Sequence, residues 1–309
     1  MLEKAFRFYR QEGVDAVAVV GKPADRQDLL RSAWGLAFGV DGKARLIQAT
    51  GRFEVGGFAF GLSDRMPVRP CEILTFYADG KRALTDDLAL CDPDLNVVYA
   101  GSMSGLTVPE GYSRNGRAAD GREFVWCAQG LLASVYAAKV VIRRLDFAES
   151  APPTGSLAPG MAYAEDLAPE LTLPRDGRMA RAPSAPPEFW ADTALRVMPG
   201  YAGSSRVYTV QWPCVQRRFT GVRAASYEVS VHRLEPGAAE PSRALRRRNV
   251  LSEAFYKAEV RDVKPVTSQF SREDLTAAAG PDVPVVLSVA PLGAFGERGK
   301  PVFSEPFTP

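Results

Sequence analysis

The stretch Val17-Ala-Val-Val-Gly-Lys-Pro-Ala-Asp-Arg-Gln27 has the pattern of a buried strand that ends in a tight turn with charged residues at its tip. Residues 2–12 have the apolar spacing of a helix, and the apolar run over residues 14–20 is typical of a parallel sheet. A second helix is predicted at residues 24–34 and a second strand at residues 45–49. Together these elements predict a β-α-β unit, so the first half of the chain begins as an α/β fold.

Further short apolar runs predict a second sheet in the first half of the chain. Its strands are expected at residues 57–61, 72–77 and 96–100, and in a hairpin formed by residues 131–136 and 139–145. The hairpin is expected to turn at Ala137-Ala138. We therefore expect two layers of sheet in this half.

Prolines and glycines crowd residues 150–186, where helical and strand periodicity disappears, and this composition predicts a linker. Short alternating runs after it predict a small β-sandwich, at residues 206–212, 225–233 and 285–290. The predicted organisation is α+β overall: an α/β domain (residues 1–149), a Pro-rich linker (150–186) and a C-terminal β-sandwich (187–309).

The bulk composition is that of a globular protein of 309 residues with a formal net charge of +2. No apolar run is long enough to cross a bilayer. The chain as it stands is therefore expected to be soluble and cytoplasmic, or extracytoplasmic if a leader was removed. The basic run Arg246, Arg247 and Arg248 could meet phosphate or a sulfated glycan, but a solvated loop is favoured and no nucleic-acid ligand is predicted.

Three blocks of the first half resemble metal-binding motifs of one family. They are Gly21-Lys-Pro-Ala-Asp-Arg26, Thr50-Gly-Arg-Phe-Glu54 and Phe76-Tyr-Ala-Asp-Gly-Lys-Arg-Ala-Leu-Thr-Asp-Asp87. In this order they resemble the G-D-x-x-D-[RG], G-N-H-[DE] and G-H-x-H blocks of the calcineurin-like metallophosphoesterases. The resemblance covers residues 1–147 and implies a truncated, layered-sheet remnant of that fold.

The residues at the implied metal positions do not suit a metal. Lys22 stands where the family has the carboxylate that bridges both ions, and an ammonium there repels a cation. Arg52 replaces an asparagine, and the two histidine positions hold Asp79 and Lys81. The resemblance therefore implies a degenerate site without metal, cofactor or catalytic residue. In this relic site Lys22, Arg52 and Lys81 would neutralise Asp25, Glu54 and Asp79, unless all are drifted surface residues in loops.

The second half resembles a fibronectin type III-like module in Tyr208-Thr-Val-Gln-Trp212, in Ser226-Tyr-Glu-Val-Ser-Val-His232 and in its last residues, 295–307. This resemblance implies an adhesive or spacer role. The sequence thus favours an inactive, phosphoesterase-like binding or scaffold module for a glycan, a cell-surface polymer or a protein.

Two enzymatic alternatives stay open at the level of sequence. One is a metal-independent hydrolase, a secreted peptidase or a glycosidase, that uses paired carboxylates such as Asp25 with Glu54 or Asp86 with Asp87. The other is a residual phosphoesterase that has recruited other ligands. Neither the ligand nor the oligomeric state follows from the sequence.

Charge compensation at Lys22 predicts a measurable stability effect. Lys22→Ala should lower the free energy of unfolding by about 3–5 kcal/mol if it leaves partly buried carboxylates without a partner. Lys22→Asp should lower it further, since it adds a negative charge that no cation meets. Denaturant unfolding measures both values. Costs under about 1 kcal/mol for both variants would identify Lys22 as an exposed loop residue.

Overall fold

A computed structural model describes residues 2–19, 27–39, 43–47, 51–56, 58–63, 74–77, 97–103, 106–108, 112–114, 117–118, 124–125, 127–147, 162–175, 185–215, 222–235, 241–256, 264–294 and 296–309. The chain forms two compact units. Unit 1 contains Met1–Leu106, Phe124–Pro183 and Tyr256–Ala258, and unit 2 contains Thr107–Glu123, Ser184–Phe255 and Glu259–Pro309. Whether the predicted domains at 1–149 and 187–309 fold independently stays a prediction.

The helices of the described residues are α1 (Leu2–Gln11), α2 (Gln27–Phe38) and α3 (Arg272–Ala279), with a 3-10 turn at Glu253–Tyr256. The first strands are β1 (Ala16–Ala18), β2 (Arg45–Ile47), β3 (Gly51–Val55), β4 (Phe58–Ser63), β5 (Leu74–Tyr77), β6 (Val97–Tyr99), β7 (Leu106–Thr107), β8 (Tyr112–Arg114), β9 (Arg117–Ala118) and β10 (Phe124–Val125). The later strands are β11 (Gln129–Val135), β12 (Lys139–Asp146), β13 (Glu165–Pro174), β14 (Arg196–Ala202), β15 (Ser205–Trp212), β16 (Ser226–Arg233), β17 (Arg246–Leu251), β18 (Val266–Ser271), β19 (Val285–Leu292) and β20 (Val302–Phe303).

The predicted β-α-β unit is present at the start of the chain. Strands β1 and β2 are parallel, with Ala16 opposite Arg45, and α2 lies between them in sequence. Helix α1 packs on α2 through Phe6, whose ring meets the Trp34 ring edge to face at 5.5 Å between centroids. The apolar side of each helix is buried in this cluster, which explains why their helical spacing is visible in the sequence.

Two larger sheets of unit 1 share one hydrophobic core. The first has the order β3-β4-β5-β6, with β4, β5 and β6 parallel, and the second has the order β11-β12-β13. Both sheets contribute buried side chains to it, including Phe58, Phe60 and Leu74 from the first and Ile142 and Leu173 from the second. The predicted strands at β4, β5 and β6 and the predicted hairpin β11–β12 are confirmed.

Strand β13 corrects the expectation that regular structure is absent from residues 150–186. This strand pairs antiparallel with β12, and its Leu171 and Leu173 are buried in the core of unit 1. Two prolines, Pro169 and Pro174, lie within its bounds and obscured the strand in the sequence. In the described sheet β13 is an edge strand, a position that tolerates proline because one side of the backbone has no partner.

Unit 2 is built from two sheets around a single core. One sheet has the order β14-β15-β18 and the other has the order β20-β19-β16-β17-β8-β9. One buried cluster contains every second residue of two strands, with Tyr208 and Val210 from β15 and Tyr227 and Val229 from β16. A period of two places alternate residues on one face, so each strand turns one face toward this core.

Helix α3 begins directly after β18 with an N-cap. The side chain of Ser271 accepts a hydrogen bond from the backbone N–H of Asp274 at 3.0 Å. Glu273 and Asp274 in the first turn add negative charge where the helix dipole favours it. The cap therefore fixes the position of Asp274 relative to β18.

The described residues thus form a mixed, sheet-rich fold with helices at its start and in unit 2. None of the helices in these ranges is both long and apolar enough to cross a membrane. The α+β composition predicted from the sequence agrees with this coarse class, while the layering of a particular family stays a prediction.

Two glycine substitutions in unit 1 should have opposite effects on stability. A Cβ at Gly130 would lie 2.5 Å from Tyr9 Oη and 3.0 Å from Phe147 Cε2. Tyr9 Oη is held in place because it donates a hydrogen bond to the Leu131 carbonyl at 2.8 Å. We expect Gly130→Ala to lower the free energy of unfolding by about 1–3 kcal/mol.

The matched control is Gly35→Ala in α2, where a Cβ would meet nothing within 4 Å. This change should raise the free energy of unfolding by about 0.5–1 kcal/mol, since alanine loses less backbone entropy in a helix than glycine. Denaturant titration of both variants gives the two values. Equal effects of the same sign would contradict the packing described at Gly130.

Candidate functional site

The six residues of the predicted relic site are only partly described by the structure. Lys22, Asp25, Asp79 and Lys81 lie outside the described residues. Arg52 and Glu54 lie in β3, which pairs with β4, and therefore not in a loop. The proposal that all six converge on one site stays a prediction.

Arg52 and Glu54 form a weak surface ion pair with each other. Arg52 Nη2 lies 3.8 Å from Glu54 Oε1, and the two side chains are 58% and 70% exposed. Because the residues are two apart in a strand, their side chains lie on the same face of the sheet. An arginine paired with a glutamate is the type of contact that charge compensation predicts. An ion pair this exposed, however, stabilises the fold by about 0–1 kcal/mol at most. An arginine in this setting does not suit a metal.

A metal site needs several ligating side chains close together, and the remaining described residues bear on this point. Within these ranges no three or more His, Cys, Asp and Glu side chains are placed to hold a metal ion. Four of the six relic positions lie outside the ranges, so the predicted absence of a metal stays a prediction.

The only histidine of the chain has a structural role in unit 2. His232 lies in β16, and its Nδ1 is 2.8 Å from the Ser242 carbonyl oxygen. Its Nε2 is 2.8 Å from Ser288 Oγ on the neighbouring strand β19. With Nδ1 as the donor to the carbonyl, Nε2 accepts the serine proton, so both ring nitrogens are used. His232 is therefore held between the strand β19 and the segment that contains Ser242.

The basic run 246–248 is a strand, which corrects the prediction of a solvated loop. Arg246, Arg247 and Arg248 are the first residues of β17, which pairs with β16. A loop was predicted because consecutive charged residues are usually exposed to solvent. The strand β17 is instead paired on both sides, with β16 and with β8. Alternation along the strand places Arg247 on one face and the other two on the opposite face. The three guanidinium groups therefore do not form one anion-binding patch.

On each face of β17 the arginines pair with a different carboxylate. Arg247 Nη1 lies 3.8 Å from Glu228 Oε2, and Arg298 Nη2 lies 3.1 Å from the other oxygen of the same glutamate. On the opposite face Arg246 binds Asp274 of α3, and Arg248 donates to the Gln269 carbonyl. The arginine charges are thus directed to partners inside the unit.

Arg248 also covers the edge of the hydrophobic core. Its guanidinium carbon lies 4.6 Å from the centroid of the buried Phe270 ring. Burial and then the neighbouring Arg246 charge lower the pKa of Arg248, while Asp274 opposes the change. A partly buried guanidinium over an aromatic face stabilises this edge of the core, and its hydrogen bond to Gln269 is made within the unit.

The surroundings of the Cys127 thiol do not favour a nucleophile. Cys127 is buried and its Sγ lies 3.5 Å from the Ser102 carbonyl. Burial, together with the nearby charge of Asp146, raises the pKa of the Cys127 thiol to about 12. At neutral pH this cysteine is therefore protonated and unreactive. Cys214 is free and half-buried, and it accepts a hydrogen bond from Tyr227 Oη at 3.4 Å.

A surface hollow of about 690 Å³ lies in unit 2, and we call it the Trp190 hollow. It is open to solvent, and the described residues that line it all belong to the segment 185–192. Trp190 is 52% exposed, and Glu188 and Asp192 stand on either side of it in the sequence. Among the described residues neither carboxylate has a hydrogen bond or an ion pair, and no lysine or arginine is in the lining.

Two contacts hold the backbone of this segment in place. The ring of Phe189 stacks on the buried ring of Tyr227, with 6.0 Å between centroids and an interplanar angle of 16°. Pro187 is buried, and its carbonyl oxygen lies against Gly299. Any residue with a side chain at position 299 would clash with this oxygen. Because alternate residues are anchored inward, Glu188 and Trp190 turn outward together.

Sequence patterns did not single out the Trp190 hollow. The segment begins within Ala182-Pro-Ser-Ala-Pro-Pro187, and the predicted boundary between the linker (150–186) and the β-sandwich (187–309) falls inside it. The available signal was the alternation of Pro187 and Phe189 with Glu188 and Trp190, which is typical of an extended segment that lies on a core. The contact with Gly299 joins residues far apart in sequence and leaves no local signal.

Comparison with known proteins gave no match, either to a protein-family model or to a curated protein. The two family resemblances therefore depend on the residues of the quoted motifs, and both are proposals.

The ion pair between Arg246 and Asp274 should make stability depend on pH. Burial alone would raise the pKa of Asp274, but hydrogen bonds from Arg246 and Ser271 and the Arg246 charge together lower it. A lowered pKa in the folded state stabilises the fold above the unfolded value of 3.8, and this contribution is lost as pH falls through the folded pKa. We expect Asp274→Asn to cost about 0.5–1 kcal/mol at neutral pH and progressively less below about pH 4.

The control for this pH dependence is Asp282→Asn, which removes an exposed carboxylate of the same unit. Denaturant unfolding of both variants and the parent at several pH values gives the comparison. A cost for Asp274→Asn that is constant from neutral to acidic pH would show that the lost hydrogen bonds act without the charge.

Proposed function

We propose that this chain is a phosphoesterase-like protein that has lost catalysis and acts by binding, as a module for a glycan, a cell-surface polymer or a protein. The observation that carries this proposal is the state of the chain's single histidine. Both ring nitrogens of His232 are engaged in hydrogen bonds within unit 2. A two-metal phosphoesterase needs several nitrogen and oxygen donors around its ions, and here no histidine is left for that purpose.

The layers of unit 1 support descent from a layered-sheet enzyme. Its parallel strands β4, β5 and β6 pack through their side chains on the sheet of β11, β12 and β13. The second quoted block, which would carry metal ligands, here lies in β3 as the exposed pair Arg52 and Glu54. We interpret this half as a scaffold that retains the core and has lost the donors.

The strand order of unit 2 supports a fibronectin type III-like module. Strands β14, β15 and β18 form one sheet, while β16, β17, β19 and β20 belong to the other. The chain thus changes sheet between β15 and β16, between β17 and β18, and between β18 and β19, as sandwich modules do. Such modules act through their surfaces, which agrees with a role in binding.

The proposal predicts an absence of turnover in the intact chain. We expect no hydrolysis of phosphodiester, peptide or glycoside substrates above the blank, whether manganese, zinc or a chelator is added. Elemental analysis after dialysis against these metals should find no stoichiometric ion. An active metallophosphoesterase assayed in parallel verifies the conditions.

Two results would contradict the proposal in different ways. Retention of about one metal equivalent, with turnover that a chelator stops, would identify a residual phosphoesterase with recruited ligands. Chelator-resistant turnover that Asp25→Asn or Glu54→Gln abolishes would identify a hydrolase with paired carboxylates. Either result would end the interpretation of the chain as a binding module.

A further inference from the structure

We propose that the Trp190 hollow binds a glycan that carries free amino groups, with the indole against a sugar ring and with Glu188 and Asp192 on the ammonium groups. This inference rests on the proposed function, because it names the ligand class of a module that acts by binding.

The size and the walls of the hollow suit a sugar. Its volume of about 690 Å³ lies within the range of about 300–1,000 Å³ that is usual for sites of small organic ligands. A single lysine or arginine side chain of a protein partner would leave most of this space unfilled. The half-exposed indole of Trp190 offers a flat apolar surface, and the C–H face of a pyranose ring is a flat apolar partner for it.

The charge of the hollow selects among sugars. Glu188 and Asp192 both line it, and among the described residues neither is neutralised by an ion pair. Carboxylates only accept hydrogen bonds, so they suit the O–H and N–H donors of a glycan. Ammonium groups gain attraction to both carboxylates and to the face of the indole, whereas sulfate, phosphate or uronate groups would be repelled.

The hollow is also prepared before a ligand arrives. Phe189 is stacked on Tyr227, and Pro187 is held against Gly299, so the backbone between these anchors is fixed on both sides of Glu188. A ligand therefore has little of the backbone around Glu188 left to order. Small ordering costs matter in an open site, where each contact contributes little.

Two other surfaces of unit 2 are weaker candidates for a ligand. The arginines of β17 are already paired with Glu228 and Asp274. Strand β14 is an edge of its described sheet and exposes Met198 and Tyr201, but Pro199 lies between them. A proline removes one backbone donor from an edge, which discourages the addition of a partner strand.

The test is isothermal titration of the full chain with two oligosaccharides that differ only in whether their amino groups are acetylated. Glucosamine oligomers carry free amines, and N-acetylglucosamine oligomers of the same length do not. The titration is carried out at about pH 6, so that the sugar amines carry protons. We expect binding of the glucosamine oligomer at least about fivefold tighter than binding of the acetylated one, and weaker binding as salt is added.

Variants of the lining separate the two parts of the site. Trp190→Ala should weaken binding of the glucosamine oligomer by about tenfold, since it removes the stacking surface. Glu188→Gln and Asp192→Asn should each weaken it by about two- to fivefold and leave binding of the acetylated oligomer unchanged. Tyr201→Ala and Glu305→Gln are the matched controls, because both side chains are exposed in the same unit outside the lining.

Each other outcome overturns a stated part of the inference. Equal affinity for the two oligomers would show that charge does not select the ligand. Binding that Trp190→Ala leaves unchanged would place the ligand elsewhere, and tighter binding of a lysine-rich peptide than of the glucosamine oligomer would identify a protein ligand. No binding, in a chain that also shows no turnover, would reject this ligand while the proposed function stands. Cleavage of either oligomer would reject the proposed function itself.

Discussion

The buried side chain of Tyr227 is the contact on which unit 2 depends. Its ring meets Trp212 of β15 edge to face at 5.5 Å between centroids, and Phe189 stacks on it from the segment before β14. Its hydroxyl accepts a hydrogen bond from the backbone N–H of Val215 at 2.8 Å. One aromatic residue of β16 thus joins the opposite sheet, the turn after β15 and the segment of the Trp190 hollow. Site and core are therefore parts of one packing arrangement.

Periodicity predicted the elements whose apolar side is one continuous stripe. Helices α1 and α2, the hairpin β11–β12 and the core strands β15, β16 and β19 were found because burial imposes a period of 3.6 or 2 on their residues. Strand β13 was missed because it contains prolines, which a sheet tolerates at an edge strand. The edge position of β13 cannot be inferred from its own residues. Strand β17 was missed because three successive arginines hide its alternation, and their carboxylate partners come from β16 and α3.

The candidate site was less predictable than the fold because it depends on contacts between distant residues. Exposure of Trp190 follows from the inward anchoring of Phe189 on Tyr227 and of Pro187 against Gly299. Neither contact has a signature within the segment 185–192. Family motifs directed attention to Arg52 and Glu54 instead, where the described structure has an exposed ion pair. Sequence motifs identify residues that take part in catalysis or metal binding. A binding surface depends instead on which side chains remain exposed once the core is packed.

The pairing of individual charged side chains, and not the net charge of the chain, decides which ligands the Trp190 hollow can attract. The formal net charge of +2 suggests a mild preference for anions. Yet Arg246 and Arg247 already face Asp274 and Glu228, and at physiological salt charges are screened beyond about 8 Å. A ligand at the Trp190 hollow therefore interacts chiefly with the carboxylates that line it. A mildly basic protein can in this way present an anionic surface, because Arg246 and Arg247 are paired inside the unit while, among the described residues, Glu188 and Asp192 have no ion pair.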